Sequence, residues 1–242
     1  MRGLPPVPWL QAGTARVAGG AARGIRLDAA HLPREHIHAH HILRGMLEVP
    51  GQEALRRKLG PGATFFDVGA NIGFFTLFGA RLVGPAGRVL AFEPVPANAA
   101  AIRAHAAANG FRWVEVREQA VGERSERTTL SVPSDASWAF LEHRDPGRKV
   151  AERLAVEAVA LDDLRDLPRP DVVKIDTEGA EADVLRGMRG LVERHRPVIL
   201  AEMHANNAEF ADLAESLGYR VENLESTVPM RVAHDNVHVL AT

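Results

Sequence analysis

FFDVGANIGFF, residues 65–75, is the stretch that decides the fold. The run ATFFDV (63–68) is short and apolar and opens directly into Gly69, which reads as a buried strand. Beyond Gly73 the chain continues as FFTLFGARLV (74–83), apolar at helical spacing, until GPAG stops it. Strand, glycine-bearing turn and helix, in that order, begin a βα unit. Gly69 can take a positive φ and lets a ligand approach the backbone. Gly73 lets the helix pack close to the strand. In an open α/β sheet the first such turn, beside a topological switch point, is where nucleotides bind.

The pattern repeats outward from this turn. Upstream, QEALRRKL (52–59) is an amphipathic helix ended by GPG. Downstream, RVLAFEP (88–94) is a second buried strand, ANAAAIRAHAAANG (97–110) a strong helix, and WVEVRE (113–118) a third strand. Residues 127–158 read as a β-rich excursion with a loose middle, SDASWAFLEHRDPGRK, where Trp138 and Phe140 either shape an acceptor pocket or pack the loop. LDDLRDL (161–167) is a short helix with Asp162 as its cap. DVVKID (171–176) is the fourth strand, GAEADVLRGMRGLVERH (179–195) one helix, PVILAEMH (197–204) the fifth strand and AEFADLAESLG (208–218) another helix. YRVENL and NVHVLAT form a closing pair. Strands alternating with helices predict a mainly parallel sheet in a doubly wound α/β fold.

Composition narrows the function classes. The 242 residues are 46% hydrophobic and 25% charged, ordinary for a globular chain, and the formal net charge is −2. Such a balance gives no global attraction for nucleic acid or anionic membrane. Without cysteine there is no disulfide, thiolate metal site or thiol nucleophile. The first 20 residues lack an apolar core of signal-peptide length, and no stretch approaches a membrane span, so the expected location is cytoplasmic. Residues 1–50 read as a leader and lid segment, loosely attached over the first 30, and residues 51–242 as the catalytic domain. Five of the eleven histidines, His31, His36, His38, His40 and His41, crowd into that segment; with no carboxylate at ligand spacing they read as a polar lid rather than a metal site.

The loop's chemistry selects a ligand. Its spacing is G-x-x-x-G, without the G-x-G-x-x-G of dinucleotide turns, and Asp67 sits at its mouth. A pyrophosphate there would face a carboxylate. S-adenosylmethionine (SAM) carries no phosphate, and its sulfonium and amino groups are cationic, so the acid favours SAM over NAD. Glu93, 20 residues after Gly73 at the tip of the second strand, is placed to accept both ribose hydroxyls. Glu118, near the end of the third strand, falls by an adenine edge. Singly, these are a tight turn and solvated acids; together the ligand reading is better.

FFDVGANIGFF, AFEPVPAN, VVKIDTEGAEADVL and VILAEMH, in this order, resemble the FkbM-type SAM-dependent methyltransferases, over roughly residues 45–242. The KIDTEGAE block is the most specific. RGMLE is similar to the family's G-x-x-E segment, matched by Gly45 and Glu48. The resemblance implies a seven-stranded, Rossmann-like class I sheet and O-methylation of a hydroxyl on a small molecule such as a polyketide, a sugar or another secondary metabolite. It implies neither nucleic acid nor membrane as partner, and it admits a homodimer. It places Glu48 with the cofactor, makes Asp67, Gly69, Asn71 and Gly73 the SAM loop and Glu93 the ribose ligand, and makes Asp176 and Glu178 active-site acids.

Asp176 ends the fourth strand, where carboxyl ends line the crevice, and should lie near the transferred methyl. Glu202 and His204 alternate at the end of the fifth strand and should share a face beside Asp176. Methyl transfer to a hydroxyl needs alignment and a proton acceptor. The unperturbed histidine pKa suits that work, so His204 is the expected base, with Asp176 as orienter or alternative base. Asp176, Glu202 and His204 could also ligate Mg²⁺, Mn²⁺ or Fe²⁺, but their spacing is not diagnostic and a metal-free site is preferred. The competing readings are an NAD-linked oxidoreductase, a methyltransferase acting on nitrogen and a non-enzymatic SAM-fold protein. Neither an Asn-Pro-Pro-aromatic motif nor a basic stripe points to nucleic acid.

Overall fold

The computed structural model describes residues 13–32, 36–132, 140–141, 152–204, 206–233 and 237–242. The chain begins with an antiparallel pair, β1 (Thr14–Arg16) and β2 (Arg26–Asp28), then α1 (His36–Arg44) and α2 (Val49–Lys58). The decisive stretch follows as β3 (Thr64–Val68) and α3 (Phe74–Val83), then β4 (Arg88–Phe92), α4 (Pro96–Asn109) and β5 (Val114–Arg117). Next come β6 (Ala120–Val121), β7 (Glu126–Val132), β8 (Phe140–Leu141) and β9 (Glu152–Val159). The second half holds β10 (Val172–Ile175), α5 (Glu181–Gly187), α6 (Arg189–His195), β11 (Val198–Met203), α7 (Asn207–Ser216), β12 (Val221–Asn223) and β13 (Val237–Ala241).

Seven strands form the main sheet in the order β12-β13-β11-β10-β3-β4-β5. The five from β11 to β5 run parallel, and β13 returns antiparallel to β11 and pairs with β12. The order reverses at β3, so the crevice over the β3 and β10 ends is the switch point. Alternation splits the core between the two faces. Phe65, Val89 and Val172 pack with α2 and α3, while Phe66, Val68, Leu90, Val173 and Ile199 pack with α5, α6 and α7. Both faces are covered, which is why these strands read as continuous apolar runs. Truncating a fully buried ring such as Phe65 would cost roughly 3–5 kcal/mol.

Four expectations change. Ala15, Val17, Ile25, Leu27, Ile42 and Leu43 join the same apolar core as α3, so residues 14–32 are not loosely attached. The histidine run read as a polar lid forms the helix His36–Arg44, and no described residue of 13–50 lines the crevice described below. The helix expected over 179–195 breaks at Met188 into α5 and α6; a Cβ on Gly187 would lie 2.0 Å from the Gly122 carbonyl oxygen, so the break brings two backbones together. Asp162 sits in a single 3-10 turn, Leu161–Asp163, and caps a different helix: its oxygens accept from Gly190 N at 2.6 Å and Leu191 N at 2.7 Å, at the start of α6.

The excursion is a second sheet, β6-β9-β7-β8, whose loose middle, with Trp138, falls outside the described residues. Phe140 lies on β8. Among the described residues no helix is long and apolar enough to cross a membrane.

Candidate active site

The turn after β3 is pinned on both sides. Gly69 has φ +79°, and a Cβ there would lie 1.8 Å from the Asp176 carbonyl oxygen, so only glycine lets the loop close against the end of β10. Gly69 N and Ala70 N both donate to the Phe92 carbonyl, at 3.0 and 3.1 Å. Glu93 then ties the β3 and β4 loops together. Its Oε2 accepts from Asn71 N at 2.7 Å; its Oε1 accepts from Val95 N at 2.9 Å and Asn98 Nδ2 at 3.3 Å. Burial nevertheless pushes Glu93 up to about 7, against those three donors. The crevice beside it is open to solvent and is lined by Gly69, Asn71, Glu93, Gln119, Asp176, Thr177 and Glu178, among others.

The structure therefore brings Gly69, Asn71, Glu93 and Asp176 together. Gly73 stands apart, packed against Ile102. Asp67 is fully buried beneath the loop rather than open at its mouth: strand alternation turns it away from Phe66 and Val68, and its Oδ2 accepts from Thr76 Oγ1 at 2.6 Å. Glu118 pairs with Arg103 at the surface, and its neighbour Gln119 is the crevice residue. Glu48, on a left-handed backbone (φ 43°), reaches Lys174 and His238 instead of the crevice wall.

Beyond the loop lies a buried charge cluster. Lys174, 1% exposed, places Nζ 2.8 Å from Asp176, 3.8 Å from Glu48 and 4.5 Å from the Phe75 ring centre. Burial opposes its charge, but Asp176, Glu48, Asp67 and Glu202 hold its proton more tightly than usual. Asp176 is half-buried at the crevice, and although desolvation opposes its charge, Lys174 and His204 keep it below the ordinary carboxylate range. Burial and the neighbouring charges of Asp176 and Glu48 push Glu202 up to about 8. His238 donates from Nδ1 to Glu225 at 2.6 Å and from Nε2 to Glu48 at 3.1 Å, and despite burial these acids and Glu202 push it up to about 9. His204 lies just past β11, with Nδ1 3.3 Å from Glu181 and Nε2 3.8 Å from Glu178 and 3.9 Å from Glu202. Burial again works against its charge, but Glu181, Glu178 and Asp176 push it up to about 10.

Asp176, Glu202 and His204 present ligand atoms within 4.8 Å of one another, as do Glu48, Glu202 and His238. Either set could in principle hold a divalent ion. In both, Lys174 or an imidazolium already offsets part of the carboxylate charge.

These shifts fix a pH dependence of stability. Asp67 (3.8 to about 6), Glu93 (4.5 to about 7), Glu202 (4.5 to about 8), His238 (6.5 to about 9) and His204 (6.5 to about 10) all have folded values above their unfolded ones. The folded state binds more protons through each window, so stability falls as pH rises through it. Asp176 acts oppositely, but only below its ordinary value of 3.8. The Tm of the cofactor-free protein should thus decline steadily from about pH 5 toward about pH 9, as thermal unfolding in matched buffers would show. A Tm that climbs over that range would refute the cluster's charge states.

The sequence pattern of the FkbM methyltransferase domain matches residues 67–224, which include the loop and, from the charge cluster, Lys174, Asp176, Glu202 and His204. The chain belongs to the FkbM methyltransferase family. The 31-O-demethyl-FK506 methyltransferase FkbM of Streptomyces tacrolimicus is 29% identical over 177 residues, covering 61% of this chain and 67% of that protein. Methyltransferase 1 of Beauveria bassiana is 28% identical over 181 residues, 64% of this chain and 71% of its own length. The crystal structure of methyltransferase FkbM from Methylobacillus flagellatus shares the fold, with TM-score 0.51 at 18% identity, over 88% of this chain and 56% of that one.

As a member of the FkbM family, the protein is a SAM-dependent methyltransferase with a class I fold. Its residues fit that cofactor. Gly69, Asn71 and Glu93 line the crevice at the turn after β3, next to Asp176. Among the described residues, Glu48, Asp67, Asp176, Glu181, Glu202 and Glu225 outnumber the cations they meet, Lys174, His204 and His238, an excess of acids that favours a cationic guest. Sequence reading missed Lys174, Glu181 and His238. A lysine within VVKID was the available signal, since a charge in a strand covered on both faces must be paired.

Proposed function

We propose that this FkbM-family enzyme transfers a methyl group to a hydroxyl oxygen of a small molecule, such as a polyketide, a sugar or another secondary metabolite. The carrying observation is His204, a histidine at the crevice end beside Asp176, with one ring nitrogen held by a buried carboxylate. The relative from Streptomyces tacrolimicus supports an oxygen acceptor by its name. SAM supplies an electrophilic methyl carbon on a sulfonium sulfur. Glu93 and the Gly69–Asn71 turn hold the donor, the ionised Asp176 places negative charge at the reacting end, and neutral His204 Nε2 takes the hydroxyl proton.

His204 departs from the sequence expectation of an ordinary histidine pKa. With a value near 10 in the cofactor-free protein, it is protonated at neutral pH. Only its neutral form accepts a proton, so kcat/KM should rise with pH above neutrality; a profile already flat at pH 7 would count against His204. Lys174 and the imidazolium supply the positive charge a metal would bring, so we expect activity to survive dialysis against EDTA. Loss on dialysis and recovery with Mg²⁺ or Mn²⁺ would show that the Asp176, Glu202 and His204 set holds an ion.

The test of the function is transfer of labelled methyl from SAM to a panel of hydroxylated sugars and polyketides, with the product mapped by mass spectrometry and NMR. A methyl ether supports the proposal. Methyl found only on nitrogen overturns it.

A further inference from the structure

Glu181, the first residue of α5, is completely buried. Its Oε1 accepts from Thr177 N at 3.1 Å, Thr177 Oγ1 at 3.3 Å, Gly179 N at 3.0 Å and His204 Nδ1 at 3.3 Å. Its Oε2 accepts from Asn206 Nδ2 at 3.0 Å. A carboxylate shut away from water requires such donors. These come from two loops, the one after β10 that carries Asp176 and the one after β11 that carries His204. One side chain therefore locks the two strand ends that form the reacting end of the site.

We propose that Glu181 is the positioning residue for His204, fixing its tautomer and ring orientation so that Nε2 is the nitrogen presented to the acceptor. This rests on the reading of His204 as proton acceptor. An ionised carboxylate only accepts hydrogen bonds, so Nδ1 must carry the proton that points at Glu181. The lone pair of the neutral imidazole is then on Nε2. Around Nε2 stand Glu178 at 3.8 Å and Glu202 at 3.9 Å, both beyond hydrogen-bond range. Glu178 and Asp176 hold a proton there by charge, and the distances leave room for a hydroxyl oxygen to enter. The cations that share these acids are Lys174, 2.8 Å from Asp176, and His238, 3.9 Å from Glu202. Glu181 thus supplies geometry through its hydrogen bond, and part of the raised basicity through its charge.

A purely structural role would make Glu181 a tie between loops and nothing more. The two roles separate in ¹⁵N imidazole NMR of the protein saturated with S-adenosylhomocysteine, which needs no acceptor. In the unsubstituted protein, neutral His204 at alkaline pH should carry its proton on Nδ1; a proton on Nε2 would overturn the proposal, whatever the variants do. Glu181→Gln keeps the shape and removes the charge. In the folded variant the His204 midpoint should fall by more than one pH unit, and the rising limb of the pH–rate profile should move down with it. A Gln amide can also donate to Nδ1 and trap the wrong tautomer, so kcat should drop by about 10²–10⁴-fold while SAM affinity holds. An unchanged midpoint with unchanged kcat, or lost SAM affinity and Tm with an unmoved pH profile, would leave only the structural tie and overturn the proposal. The hydroxyl reading fails separately, in the product analysis.

Discussion

Replacing His204 with alanine should cut methyl transfer by about 10²–10⁴-fold, the usual contribution of a positioned proton acceptor. SAM affinity should barely change, because His204 stands on the β11 side of the site, whereas the crevice wall is built from Gly69, Asn71, Glu93 and the 176–178 loop. Turnover on whichever hydroxylated acceptor the panel identifies, beside calorimetric SAM affinity, measures both halves. Folding should survive, since the ring is partly exposed and the Glu181 carboxylate keeps four other donors. Turnover retained at the unsubstituted level would remove His204 from the chemistry and return the role to Asp176.

Lys174→Met should carry the largest stability cost in the site, about 3–5 kcal/mol, the range for removing one partner of a buried ion pair. Methionine preserves the stem and its contact with Phe75, so the loss isolates the charge. Asp176, Glu48, Asp67 and Glu202 would then face one another without their central cation. Their folded pKa values rise further, the folded state binds still more protons than the unfolded one, and stability falls more steeply with pH. The deficit should therefore be largest at about pH 8 and shrink at about pH 5, where the acids can protonate. Urea unfolding at both values checks this. A variant as stable as the parent at pH 8, or equally weakened at both, would show that Lys174 does not balance the cluster.

Much of this was legible in the chain because of local rules. A covered parallel strand needs an apolar run, as in residues 64–68 and 172–175, and a turn closing on another backbone needs glycine, as at Gly69. Strand ends therefore located Glu93, Asp176, Glu202 and His204. Side-chain direction at those ends was harder to read. Asp67 and Asp176 lie on neighbouring strands, yet one faces down toward Thr76 and the other lines the crevice. Glu118 and Gln119 differ by one position, and the turn out of β5 decides which lines the crevice. Glu181 and His238 were hidden because their partners are distant in sequence: His238 meets Glu48 across 190 residues. The Asp162 cap was misplaced for the same reason, serving a helix 28 residues away.

The sharpest trial of the whole account is calorimetric titration of SAM into the folded protein at about pH 8, repeated in buffers of different ionisation enthalpy. A cation entering among surplus carboxylates lowers the pKa values of its neighbours, so binding should be saturable and should release protons from groups such as Glu93, Glu202 and His204. Absence of binding heat, or net proton uptake, would contradict a site built to receive positive charge.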